Sequence, residues 1–309
     1  MSDLVIVFAG SPVAAVPSLQ ALTASRHNVA AVLTREDSPQ GRRRELAPTA
    51  VAGAAAQLGL PIIRANRLAG AATEAVSVLR PDLGVIVAYG GLVREPLLTI
   101  PRHGWINLHF SLLPRWRGAA PVQHAIIAGD EVTGASVFQL VPELDAGDVF
   151  GQFTQAIGAR ETAGHLLDSL AASGAELLVR VVDAIADGIA RGEPQHGDVT
   201  LAPKLHLPDA RLDFTEHAST VFNTLRGVTP EPGAFTRVDG LRIKIIEAVI
   251  AGDETKLAAG QLELRAGRVL VGTASDPLEL VTVHPDGKKS MKAVDWWRGR
   301  AADAATVAQ

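Results

Sequence analysis

No cysteine occurs anywhere in the chain. That excludes disulfides, a thiol nucleophile and a Cys-ligated zinc or iron–sulfur centre, and it suits a reducing cytosol. No apolar run approaches the roughly 20 residues that a membrane span needs. The start, Met1-Ser2-Asp3, has no basic stretch and its first apolar run is only strand-length, so no secretion signal is expected and the protein is expected in the cytoplasm. Gly10 stands alone after that run rather than in G-x-G-x-x-G, and no H-E-x-x-H occurs, so neither a dinucleotide fingerprint nor a metal site is expected. Net charge is -4, so bulk electrostatics does not call for a polyanionic partner and local patterning has to make that case.

Hydrophobic residues make up 47% of the chain, an ordinary globular share, and 309 residues suffice for two cores. Leu4 to Phe8 is continuously apolar and reads as a buried parallel strand, followed by the turn Ala9-Gly10-Ser11-Pro12 and an amphipathic helix to about Ala24. Further strands are predicted at Val29 to Leu33, Pro61 to Arg64, Gly84 to Ala88, Trp105 to His109 and Ala135 to Leu140. Helices are predicted near Pro48 to Leu58, Ala69 to Leu79 and Pro121 to Ala128. The alternation predicts an α/β domain with a doubly wound, mostly parallel, Rossmann-like sheet covered on both faces. A long helical pattern from Thr162 to about Ile189 closes it, and Gly192 to Pro208 reads as a linker. After a helix near Ala218 to Arg226 come short strands at Ala234 to Val238, Leu241 to Val249, Gly260 to Arg265, Arg268 to Gly272 and Leu278 to His284. Close Gly and Asp turns separate them, which predicts a small antiparallel, OB-like β-barrel. The domains expected are 1–190, a linker 191–207, and 208–309.

Two basic features stand out. The loop from Thr34 to Glu45 is long for a βα connection and holds Arg42-Arg43-Arg44, which is either a solvated surface or a mobile arm that meets phosphates. Lys288, Lys289 and Lys292 lie near Trp296-Trp297-Arg298-Gly299-Arg300. Cations beside indole rings are what RNA contact requires, and they equally suit a packed terminal helix with surface lysines.

The chemistry-bearing stretch starts at Trp105-Ile106-Asn107-Leu108-His109. A strand alternates its side chains between faces, so Asn107 and His109 share one. A neutral imidazole there is a natural general base for an amine nucleophile. An amide N–H beside it can donate to an oxyanion, an interaction worth roughly 3 to 4 kcal/mol in acyl-transfer sites. Asp145, in the turn Val141-Pro142-Glu143-Leu144-Asp145-Ala146-Gly147-Asp148, is the best candidate to orient or charge-balance the ring; by spacing alone Glu143 and Asp148 serve equally. His103, His124 and His165 have no polar partner at short range and read as surface or structural.

Asn107-Leu108-His109, Ser111-Leu112-Leu113-Pro114, Arg117-Gly118-Ala119-Ala120-Pro121 and Leu144-Asp145-Ala146-Gly147-Asp148 together resemble the folate-dependent formyltransferases. Val7-Phe8-Ala9-Gly10-Ser11-Pro12, Val87-Ala88-Tyr89-Gly90 and Gly287-Lys288-Lys289-Ser290-Met291 extend the resemblance over nearly the whole chain. It departs at Arg43-Arg44-Glu45 and at Phe110, where many relatives carry other residues. The resemblance implies a donor, 10-formyltetrahydrofolate, and an acceptor, the α-amino group of methionine esterified to initiator tRNA. It makes Asn107, His109 and Asp145 the catalytic three and has Ser111, Leu112, Leu113 and Pro114 shape the folate site. Arg42, Lys288 and Lys289 become the tRNA-contacting candidates, with no metal required and a monomer expected. Two rivals stand beside this: a transformylase with the same donor acting on a small amine, and a non-catalytic RNA-binding protein that kept the fold.

Overall fold

The opening apolar run forms β1 (Val5–Gly10) in the computed structural model, which describes residues 3–40, 45–300 and 307–308. Along the chain follow α1 (Val16–Thr23), β2 (Asn28–Thr34), β3 (Ser38–Gln40), β4 (Glu45–Ala47), α2 (Ala50–Gln57), β5 (Ile62–Arg64), α3 (Ala71–Val78), β6 (Leu83–Val87) and β7 (Trp105–His109). Then come β8 (Arg117–Gly118), α4 (Pro121–Ile127), β9 (Val132–Gln139), β10 (Val149–Ala156), α5 (Ala163–Ala186) and β11 (Leu201–Ala202). The remainder is α6 (Ala218–Gly227), β12 (Phe235–Val238), β13 (Leu241–Ile250), β14 (Leu262–Arg265), β15 (Arg268–Val271), β16 (Leu278–Pro285), β17 (Met291–Lys292) and α7 (Ala293–Arg298).

The chain divides into two units, the first made of Met1–Pro121, Val132–Ala156 and Leu167–Ala202, the second of Val122–Glu131, Ile157–Leu166 and Pro203–Gln309. In the first, a seven-stranded sheet runs in the order β10-β9-β7-β6-β1-β2-β5. The five strands from β7 to β5 pair in parallel. Their centre is apolar on both faces: Ile6, Val7, Phe8, Val32 and Leu33 are fully buried. Each such side chain contributes about 1.5–3 kcal/mol through its removal from water. Gly84 on β6 sits opposite Trp105 on β7, and the indole lies so close over it that a Cβ at Gly84 would come within 2.1 Å of the ring. The same indole donates its Nε1–H to the Leu97 carbonyl at 2.8 Å, which fixes the start of β7.

Four features of this unit depart from or add to the expected pattern. β9 runs antiparallel to β7, and β10, absent from the prediction, runs antiparallel to β9. The signal for β10 is weak because Gly151 interrupts an edge strand that is buried on one side only. Within the basic loop, β3 and β4 pair as a short antiparallel ribbon, and the Arg35 guanidinium bonds the Gly90 carbonyl. Residues 41–44, Arg42 among them, lie outside the described residues. Finally, the stretch that composition marks as a linker carries β11, which pairs in parallel with β8.

The second unit is an antiparallel sheet in the order β12-β13-β16-β15-β14, with β17 added alongside β16 and α6 and α7 packed on it. Among the described residues no ladder joins β12 to β14, so the curl expected of a barrel stays open there. Its core gathers Leu212, Val221, Leu225, Ile245, Val283 and Trp296. Arg226, buried at the end of α6, donates to the carbonyls of Gly158 and Glu161 and to Asn223 Oδ1, tying the 157–166 segment into the same unit. No helix among the described residues is long and apolar enough to cross a membrane.

Candidate active site

β7 is a regular strand, paired residue for residue with β6 and β9, so Asn107 and His109 do share a face. His109 is buried, with 5% of its surface exposed, and Phe138 meets its ring edge-to-face at 6.4 Å. Its Nε2 lies 2.8 Å from the Trp116 carbonyl. A carbonyl can only accept, so Nε2 is the protonated nitrogen and Nδ1 keeps the lone pair. Nδ1 faces Asp145 Oδ2 at 3.8 Å, within ion-pair range and beyond a hydrogen bond. Burial lowers the His109 pKa below the ordinary imidazole value, while the Asp145 charge and the Trp116 carbonyl oppose that shift. Asn107 Oδ1 is buried and has no protein partner. A 180° turn of the amide presents its N–H group at the same point. An unmet polar group of this kind costs about 1–3 kcal/mol unless a ligand meets it.

Of the three carboxylates in the Val141-to-Asp148 turn, Asp145 is buried and faces the ring; Glu143 and Asp148 are exposed. Because β9 is antiparallel to β7, the end of β9 at Gln139 lies opposite Ile106, whereas His109 pairs with Ser136. The turn therefore folds back along the sheet to bring Asp145 to the imidazole. Gly147 permits this, since a Cβ there would lie 1.8 Å from the Gln139 carbonyl oxygen. Asp145 itself adopts φ +45° and accepts the Gly118 N–H at 2.8 Å.

Ser111, Leu112, Leu113 and Pro114 lead directly out of β7. Ser111, Leu113 and Pro114 are buried, so these side chains chiefly hold the loop's form. Ser136 Oγ donates to the Ser111 carbonyl at 2.6 Å and accepts the Leu113 N–H at 3.2 Å; Gln152 Nε2 bonds Ser136 Oγ at 2.8 Å. Neither Ser136 nor Gln152 is visible as a site residue in the sequence, because each lies on a strand and acts on backbone atoms. The Trp116 carbonyl and the Gly118 N–H are equally hidden: any residue type can supply them.

In the second unit Lys288 and Lys289 are exposed on the turn after β16. The neighbouring indoles are largely committed within the unit, since Trp296 is buried and the Arg300 guanidinium lies 5.1 Å from its ring and 4.8 Å from that of Trp297.

An amide and an imidazole on one face of a strand in a doubly wound sheet, with a buried carboxylate 3.8 Å from the ring, are groups that can serve acyl-type transfer onto an amine. Residues 3–182 match the formyl transferase family and residues 204–301 match the formyl transferase C-terminal domain. The chain belongs to the formyl transferase family. Among its relatives, a methionyl-tRNA formyltransferase of Leifsonia xyli subsp. xyli is 61% identical over 97% of this chain and 98% of its own length. One of Thermobifida fusca is 51% identical over 95% of this chain and 96% of its own. Solved structures share the fold at lower identity. WlaRD, a sugar 3N-formyl transferase crystallised in the presence of dTDP and 5-N-formyl-THF, superposes with a TM-score of 0.68 at 14% identity, over 93% of this chain and all of that one. HypX from Aquifex aeolicus, in complex with tetrahydrofolic acid, gives a TM-score of 0.63 at 19% identity over 96% of this chain and 47% of that one.

Proposed function

We propose that the chain transfers the formyl group of 10-formyltetrahydrofolate to the α-amino group of methionyl initiator tRNA, giving N-formylmethionyl-tRNA. The observation that supports this best is the commitment of His109 Nε2 to the Trp116 carbonyl, which leaves Nδ1, beside Asp145, as the one basic atom of a buried imidazole. The folate supplies the formyl carbon and a nitrogen leaving group. As the amine's nitrogen bonds to that carbon, the carbonyl electron pair moves to oxygen, and the Asn107 amide stabilises the oxyanion. His109 Nδ1 takes the amine proton, and the imidazolium so formed gains from the Asp145 carboxylate. The same proton is available to the folate nitrogen as its bond to carbon breaks. Asp145 thus acts on the charge of the ring, while the Trp116 carbonyl sets its orientation.

The acceptor is argued from the relatives, because a fold shared with a sugar formyl transferase leaves it open. Identity of 61% spans both units, including the second, where Lys288 and Lys289 are exposed to meet phosphates. Arg42 joins them as a tRNA contact, Ser111, Leu112, Leu113 and Pro114 border the folate, and the enzyme works as a cytoplasmic monomer. Presenting methionyl-tRNA and a nucleotide-linked aminosugar separately with 10-formyltetrahydrofolate tests the assignment. Formyl label is expected on the tRNA ester alone; label on the sugar alone would replace this reading with the small-amine one.

A further inference from the structure

The corner from Trp116 to Gly118 serves both the imidazole and the carboxylate, since its Trp116 carbonyl holds the His109 ring and its Gly118 N–H holds the Asp145 side chain. What holds the corner comes from the stretch whose composition reads as a linker. Thr200 accepts the Trp116 N–H at Oγ1 and the Arg117 N–H at its carbonyl, both at 2.9 Å. Gln195 goes further. Its Nε2 donates to the carbonyls of Asp145 at 2.8 Å and Gly147 at 2.9 Å, and its Oε1 accepts from Arg117 Nε at 3.1 Å and Nη2 at 2.6 Å. Both amide hydrogens and both carbonyl lone pairs are therefore used. Carbonyls on one side and a guanidinium on the other allow only one orientation of the amide. Pro194, His196 and Gly197 around it are exposed, so a saturated amide aimed at the Asp145 turn is not a by-product of local burial. Asp145, whose carbonyl it bonds, at φ +45°, and Trp116, the neighbour of the Arg117 it bonds, at φ +62°, lie in a region that non-glycine residues hold only when their surroundings impose it.

We propose that Gln195 is a positioning residue for formyl transfer: it ties the Asp145 turn to the Trp116–Gly118 corner, so that carboxylate and imidazole keep the facing geometry the reaction uses. This rests on the formyl-transfer reading above. The four hydrogen bonds of Gln195 go to backbone carbonyls and to Arg117 and to no catalytic side chain, so its loss is expected to act on the chemical step and not on substrate affinity.

Gln195→Leu keeps the side chain's approximate size and removes all four hydrogen bonds. Gln195→Glu keeps the acceptor for Arg117 and sets oxygen against the two carbonyls. Both variants are expected to lower kcat on methionyl-tRNA by about tenfold to a hundredfold, the scale of a small misplacement of catalytic groups. KM for each substrate is expected to stay within about twofold, the pattern of a loss confined to the chemical step. The imidazole 15N signals of His109 in the substrate-free variants are expected to move from their wild-type positions. A kcat close to wild type, a loss carried by KM, or unmoved 15N signals would overturn the proposal. So would failure of both variants to fold, which would make Gln195 a residue of the fold alone. Wild-type protein that formylates no methionyl-tRNA would instead sink the assignment of the reaction, and the nitrogen signals, which need no substrate, would still decide the role of Gln195.

Discussion

A buried imidazole next to a carboxylate is pulled two ways. For His109 burial wins, and its pKa lies below the ordinary value of 6.5. The neutral base is then the prevailing form at pH 7, and transfer is expected to fall only as pH drops through that lowered value. Removing the Asp145 charge removes an influence that raises it. In Asp145→Asn the acid limb of kcat/KM is therefore expected to move further down in pH, with a plateau lower by roughly tenfold or more because the imidazolium loses its counter-charge. A limb that moves up would contradict the charge-balancing role. Folding stability follows the same sign: the contribution of a neutral, buried His109 is fully present above the unfolded imidazole value and is lost as pH falls through the folded one. Asn107 and His109 are legible in the sequence because the period of a strand is two and nothing interrupts β7. The choice of Asp145 over Glu143 and Asp148 is not, since one turn holds all three and only burial separates them.

At the scale of elements, β7 carries the site and β6 sets where β7 lies. The indole of Trp105 fills the space that only a glycine at position 84 leaves, so the two strands fit at that one spot without slack. Gly84→Ala is expected to lower stability by about 1–3 kcal/mol, as overpacking does. It is also expected to reduce transfer, because Asn107 and His109 follow Trp105 on the same strand and face. A urea midpoint equal to wild type would show that the indole has room to move. The run of parallel strands is legible because β1, β2 and β6 carry continuous apolar runs, the mark of burial on both faces. The reversal at β9 is not, since apolar residues mark a buried strand and not its direction. The path of the Asp145 turn is hidden for the same reason: it leaves β9 opposite Ile106 and folds back before the two side chains meet.

At the scale of the whole molecule, a net charge of -4 makes attraction to tRNA a local matter. Lys288 and Lys289 are exposed, while the nearby indoles are packed with Arg300 inside their own unit. Replacing both lysines with alanine is expected to raise KM for methionyl-tRNA severalfold and to flatten its salt dependence by about one unit of slope for each phosphate that a lysine no longer neutralises. KM for the folate is expected to stay unchanged, and a rise shared by both substrates would point away from phosphate binding. The second unit draws in Val122–Glu131 and Ile157–Leu166 from inside the α/β sequence, which no composition shift announces, and Arg226 shows why: its partners there are backbone carbonyls. The central claim is that His109 is the base that moves the formyl group to methionyl-tRNA, and single-turnover transfer followed across pH in wild type and His109→Ala tests it most directly. The account expects an acid limb below the ordinary imidazole value in wild type, and in the variant a rate lower by about a hundredfold or more with that limb gone. A variant that keeps the rate and the limb would contradict it.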